Sequence, residues 1–233
     1  MKLLFSITLV LVLVTGSYSW PSLRGIFSHI MGSKAKHTHQ QETNEVVKME
    51  NWVKPPFCNE LDCPKYQRLA SKEGYEIRKY AKSGWVSTNM LDMSYGQSSY
   101  KMFRKLFNYI QRGNVAAAKI PMTAPVTMRI IPGQGPACEQ NFTMSFFVAG
   151  DFSAAPKPNA TDVFLNQTPE VVAYVRQFDG YAMSFSTWRT QALALAKAIN
   201  DSSLYHQNFY YTAGYNSPFQ IVNRHNEVWF IKK

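Results

Sequence analysis

The sequence predicts an α+β fold, a distorted antiparallel or mixed β-barrel that carries two helices and is built as two pseudo-symmetric halves. Three observations lead to this reading. Thr123-Ala124-Pro125 and Thr212-Ala213-Gly214 echo each other 89 residues apart. Each follows an amphipathic helical stripe and precedes strand-like sequence, the pattern of one supersecondary unit used twice. Two helices are also too few to cover both faces of a large parallel sheet, which argues against a doubly wound fold.

The elements follow in order. Tyr75-Glu-Ile-Arg-Lys-Tyr80 alternates large and charged residues with period two, and Gly84 to Met90 is similar, so both are expected strands. Between Ser94 and Arg112 the period changes. Met102, Phe103, Leu106, Phe107 and Ile110 share one helical stripe, with Lys101, Arg104, Lys105 and Arg112 on the other side. Gly113 is then expected to end the helix. Ile120 to Ile131 is β-branched but broken by Pro121 and Pro125, which suits an edge or bulged strand. Phe142 to Ala149 reads as a further strand. Gly150 to Pro169 reads as a surface connection between halves at about 66–150 and 170–233. Val171 to Phe178 opens the second unit, and Asp179-Gly180 makes a turn. Trp188, Ala192, Leu195, Ala196 and Ile199 form the second helical stripe. Phe209 to Ala213 and Asn226 to Lys232 close the chain as strands.

The ends and composition bound the compartment. Lys2 precedes the apolar run Leu3 to Val14, and Ser17 and Ser19 supply the small residues that signal peptidase reads. Residues 1–19 are therefore expected to be a signal peptide, 20–54 a flexible polar leader, and 55–233 the folded domain. No later run reaches spanning length, so a secreted chain without stable membrane insertion is expected. Asn141, Asn159 and Asn200 head glycosylation tripeptides; a fourth, at Asn166, is compromised by Pro169. Three cysteines leave one thiol over or join two chains, and Cys58 and Cys63 are near enough to pair. The formal net charge is +10, concentrated in residues 54–129, where 13 Lys/Arg face 5 Asp/Glu. Such a surface attracts anions, but no basic run points to nucleic acid.

Several of these segments, in order across about 160 residues, resemble the SOUL family, also called haem-binding protein 2-like. They are Tyr75-Glu-Ile-Arg-Lys-Tyr80, Trp85-Val-Ser-Thr88, Lys119-Ile-Pro-Met-Thr-Ala-Pro-Val126, Val175-Arg-Gln-Phe-Asp-Gly180, Tyr210-Tyr-Thr-Ala-Gly-Tyr-Asn-Ser-Pro-Phe219 and Asn226-Glu-Val-Trp229. The resemblance implies a twisted barrel of two pseudo-symmetric halves and non-covalent haem or porphyrin binding. It also implies that a position proposed for an axial histidine falls on Lys79. Protonated lysine has no lone pair to offer iron. Positions that help hold porphyrin in a related branch fall on Tyr100, Asn108 and Gln220.

A tetrapyrrole is a large apolar disc held mostly through its faces. Phe103 and Phe107 on the first helix, with Tyr100 at their edge, could supply that contact. Lys79, Lys101, Arg104 and Lys105 could meet propionates. The axial alternatives are Met or Tyr, with Met102 and Met122 possible, and His206 and His225 read as surface residues in turns. His37 and His39 are two histidines without an acidic or thiol neighbour, a weak metal site. No nucleophile elbow, zinc-protease or phosphate-loop motif is present, so an enzyme is not expected. Cys138 as a nucleophile and Glu170 with Asp179 as an acid pair are less well supported than structural roles. Tetrapyrrole binding therefore competes with binding of another amphipathic ligand, a lipid or bile pigment. The sequence leaves the oligomeric state open.

Overall fold

A computed structural model describes residues 51–135 and 138–233. The expected signal peptide, most of the leader, and His37 and His39 lie outside the described residues. The chain runs β1 (Tyr66–Lys72), β2 (Tyr75–Tyr80), β3 (Ser83–Asp92), helix α1 (Tyr95–Ile110), β4 (Val126–Ile131), β5 (Gln140–Val148), β6 (Val163–Thr168), β7 (Val171–Phe178), helix α2 (Phe185–Ile199), β8 (Tyr210–Gly214) and β9 (Asn226–Ile231). The nine strands form one sheet in the order β1-β2-β7-β9-β8-β4-β5-β3-β6, and every ladder is antiparallel. The sheet curves but does not close, since β1 and β6 stand at opposite ends of the order and do not pair with each other.

The expected repeat is visible in the pairing. β3, β4 and β5 pair as β4-β5-β3 around α1, and β7, β8 and β9 pair as β8-β9-β7 around α2. The units join where β4 meets β8, with Val126 opposite Gly214 and Thr127 opposite Ala213. Thr212-Ala213-Gly214 thus pairs with the three residues that directly follow Thr123-Ala124-Pro125. Each half also lends a strand: β2 pairs with β7, and β6 pairs with β3.

Both helices are capped as their sequences require. Ser94 accepts from the Gln97 amide at 3.4 Å, and Ser184 accepts from the Thr187 amide at 3.2 Å. Asp92 accepts from the Ser94 amide and the Ser98 hydroxyl, which hold its carboxyl below the usual range. Helix α2 buries all five residues of its predicted stripe. Helix α1 buries Met102, Leu106 and Ile110, together with Ser98 and Tyr109, but leaves Phe107 exposed and Phe103 half-buried.

Three expectations are corrected. Ile120–Ile131 is not an edge or bulged strand. Pro121 and Pro125 precede β4, so neither removes a ladder hydrogen bond, and β4 sits centrally between β8 and β5. Gly150–Pro169 is not merely a connection, because it contains edge strand β6. Gly113 does not supply the left-handed residue that ends α1; Arg112 does, at φ 81°. Gly113 is needed because a Cβ there would lie 2.6 Å from the Asn108 carbonyl oxygen.

Strand alternation gives the sheet two faces. The helical face carries Val86, Met128, Ile130, Phe142, Phe146, Tyr174, Val228 and Phe230 against the stripes of α1 and α2. On the opposite face, the described residues build a second cluster over the β2, β7, β9 and β8 side. There Cys58, Cys63, Phe57 and Leu61 pack with Tyr66, Tyr80, Val175 and Trp229. The Cys58–Cys63 disulfide forms, with a Cα–Cα separation of 6.3 Å, and Cys138 is free and exposed. Consecutive buried residues in β7 (Ala173, Tyr174, Val175) and β9 (Val228, Trp229, Phe230) reflect cover on both faces. Among the described residues no helix is long and apolar enough to cross a membrane.

Candidate functional site

Helix α1 places Tyr100, Phe103, Phe107 and Asn108 along one surface, since positions three and four apart are neighbours. The rings of Phe103 and Phe107 are stacked, 5.8 Å between centroids and 16° between planes. Phe103 also sets its edge against buried Phe146 at 5.3 Å, which anchors the pair to the core. Tyr100 is 63% exposed and Phe107 43% exposed. Tyr100 to Asn108 spans about 12 Å of helix at 1.5 Å per residue.

The cations of α1 differ in availability. Arg104 lies over the Tyr100 ring at 5.8 Å and donates to its hydroxyl at 3.4 Å. Lys101 is exposed. Lys105 is held by Asp162, 2.6 Å away, so it is already neutralised. Arg104 and Lys101 are therefore the cations beside the aromatic surface that could meet carboxylates.

Lys79 and Gln220 are not brought into this arrangement. Lys79 points its ammonium at Glu170, 2.6 Å away, and lies 5.6 Å from the Trp52 ring centroid. Its strand β2 packs with α2, whereas α1 packs on β3 and β5. Glu170 therefore pairs with Lys79 rather than with Asp179. Gln220 sits in the β8–β9 loop and is consumed there. Its Oε1 accepts from Asn216, and its Nε2 donates to the carbonyls of Val222 and Asn223.

That loop shows a feature the sequence reading missed. Phe219 is 90% exposed, and Ile221, Val222, Met183 and Tyr181 are exposed beside it in sequence or contact. The Tyr181 hydroxyl donates to the Pro218 carbonyl, which ties the loop to the segment leading into α2. Tyr95 of α1 meets Phe185 of α2, so the apolar loop lies toward the end where both helices begin. The only sequence signal was an apolar run, Phe219-Gln-Ile-Val222, between two strands where turn residues are usual.

The candidate iron ligands are not presented. Met102 is fully buried and Met122 packs against the core. His206 is exposed and stacked on Phe209. His225 is not a simple surface residue: its Nε2 lies 2.8 Å from Glu227 Oε1 and its ring stacks on Phe57. Among the described residues no group of three or more His, Cys, Asp or Glu could hold a metal ion.

Glu227 and Arg78 form a buried ion pair beneath Phe57 and the disulfide segment, with Arg78 Nη1 2.8 Å from Glu227 Oε1. Glu227 also accepts from the Tyr215 hydroxyl at 2.8 Å and the Trp229 indole at 2.7 Å. Burial raises its carboxyl pKa, but Arg78 and His225 overcome this and hold it at about 2. Arg78 also pairs with Glu76 at 2.7 Å and lies over the Tyr66 ring at 4.3 Å. With every Glu227 contact internal, this cluster reads as structural.

The expected glycosylation sites fall in different settings. Asn159 and Asn200 are exposed, and Asn200 caps α2 in a left-handed conformation. Asn141 is half-buried on β5, opposite Leu91 and Ile131. Asn166 accepts from the Ser87 hydroxyl at 2.7 Å.

Residues 61–231 match the family model described as SOUL heme-binding protein. Heme-binding protein 2 of Homo sapiens is 40% identical over 161 residues, 68% of this chain and 78% of the relative. Heme-binding protein 1 of Xenopus laevis is 26% identical over 159 residues, 68% of this chain and 83% of the relative. The EcmrR C-terminal domain superposes with a TM-score of 0.52 at 12% identity, covering 68% of this chain and 98% of that one. This last likeness concerns the fold alone. The match across both repeats shows that the chain belongs to the SOUL heme-binding protein family.

Proposed function

We propose that this chain is a secreted, non-enzymatic protein that binds haem or metal-free porphyrin reversibly, against the exposed aromatic surface of α1. One observation carries the reading: a family member with a stacked Phe103–Phe107 pair, edged by Tyr100, open to solvent beside Lys101 and Arg104. Exposed aromatic surface gains about 25 cal/mol for each Å² that a flat ligand removes from water. The two cations are suited to the ligand's propionates. The short apolar run after Lys2 and the exposed sequons at Asn159 and Asn200 support passage through the secretory route.

The donor set fits a porphyrin better than its iron. Lys79 is engaged with Glu170, and α1 itself carries no His or Cys. Haem bound here would supply its disc and carboxylates to the contact, without an axial histidine or thiolate from α1. Haem and metal-free porphyrin should therefore bind with similar, modest affinity. Absorption titration of the purified mature protein with haemin and protoporphyrin tests this. Comparable dissociation constants are expected; much tighter haemin binding with a sharp histidine-type Soret band would overturn the proposal.

A further inference from the structure

On the sheet face turned away from the helices, the disulfide segment packs against Tyr66, Tyr80, Val175 and Trp229. Beside that segment the curving strands of both halves form a concavity of about 560 Å³. Tyr80 of β2 and Phe164 of β6 both line it, although they stand near opposite ends of the strand order, so the sheet wraps around this space. Every strand residue in its wall alternates away from the helical core, which separates it from the α1 surface.

The chemistry of the wall is selective. Trp85, Phe209, Tyr211 and Trp229 provide flat apolar surface, and Thr127 and Ser145 add polar atoms at the floor. Arg129 is the one cationic residue of the lining, and the lining contains no Asp or Glu. Its guanidinium lies 4.2 Å from the Phe209 ring centroid. Among the described residues no carboxylate pairs with it, whereas Arg78, Lys79 and Lys105 each have an acidic partner. A guanidinium held by a ring, without a counter-charge, at an aromatic cavity is a receptor for an anion.

We propose that this concavity is a second binding site, for a small organic anion with a flat aromatic or short aliphatic body, its charge met by Arg129. This goes beyond the tetrapyrrole reading and does not depend on it. Tyr80, Trp85, Tyr211 and Trp229 belong to the segments by which the family resemblance was recognised, yet they converge here and not on α1.

The test is calorimetric titration of the full mature protein with 2-naphthoate and its neutral amide, 2-naphthamide, alongside the haemin titration. Naphthoate is expected to bind one to one, and naphthamide at least tenfold more weakly. Arg129→Gln should weaken naphthoate tenfold or more. Asn89→Trp, which adds bulk to the cavity lining, should do the same even if Arg129→Gln fails to fold. Haemin affinity should stay unchanged in both variants. The proposal is overturned if naphthoate does not bind, if folded Arg129→Gln binds it as the wild type does, or if Phe107→Ala abolishes its binding. Loss of haemin affinity in Arg129→Gln would also overturn it, by putting the tetrapyrrole in this cavity. Failure of the wild type to bind haemin would sink the α1 reading alone and leave the naphthoate result standing.

Discussion

Replacing Glu227 with glutamine should destabilise the protein far more than its near-identical shape suggests. Glu227 accepts from Arg78, His225, Tyr215 and Trp229, all within 2.8 Å. Glutamine keeps one carbonyl oxygen and puts an NH₂ where the other carboxylate oxygen stood. Donors would then face donors at Tyr215 and Trp229, or at Arg78 and His225 if the amide flips. Arg78 would stay fully buried with Glu76 as its remaining carboxylate, and its Nη2 already lacks a hydrogen-bond partner. Removing one member of a buried ion pair costs about 3–5 kcal/mol. For a domain of this size that corresponds to a fall in Tm of roughly 6–20 °C. Urea unfolding followed by fluorescence, with Tm from calorimetry, measures it. A Glu227→Gln variant within about 1 kcal/mol of wild type, at unchanged denaturant dependence, would refute the reasoning.

The same pair sets an acid response. The Glu227 carboxyl falls from an ordinary value of 4.5 to about 2, so its contribution is complete above about pH 4.5 and is lost as pH drops toward 2. Unfolding measured across that window should show roughly 3 kcal/mol of stability lost in wild type and not in Glu227→Gln; parallel pH profiles would contradict it. Phe107→Ala should weaken porphyrin binding by about 1–2 kcal/mol, five- to thirtyfold in Kd, with little change in folding because Phe107 is 43% exposed. Phe103→Ala should cost both binding and stability, since it also loses Phe146; unchanged Kd in both variants would count against the α1 surface. In protein from a secretory host, Asn159→Gln and Asn200→Gln should each abolish one glycosidase-sensitive mobility shift. Asn166→Gln should abolish none, because Asn166 is bonded to Ser87 inside the sheet; a shift lost with Asn166→Gln would refute that.

Much of the architecture was legible because periodicity reports burial. The α2 stripe of Trp188, Ala192, Leu195, Ala196 and Ile199 was complete, as each faces the sheet. The α1 stripe was only partly correct. Helical spacing places Phe107 on the apolar side, but the width of the contact with β3 and β5 determines which members of the stripe are covered. β1 was not recognised, and its pairing with β2 is interrupted by a register shift between Arg68 and Ala70 that breaks its period. β6 was hidden by the Pro- and Asn-rich sequence around it. The candidate site was legible only along α1, where local spacing suffices. Lys79 and Gln220 came from resemblance, and their fates depend on partners remote in sequence or in a folded loop.

The sequence by itself determined the repeat, the two helices and the family, because each is written in local spacing or in motifs read residue by residue. Only the tertiary structure decided what those motifs do. The strand that follows Thr123-Ala124-Pro125 pairs with the strand that holds Thr212-Ala213-Gly214, and this joins the halves. Glu227, in the last motif, is buried against Arg78 from the first, 149 positions away. Tyr80, Trp85, Tyr211 and Trp229 converge with Arg129 on the sheet face turned away from the helices. The physical reason is that strand alternation assigns each residue a face locally, while strand order and the segment covering each face are long-range choices that no local pattern records.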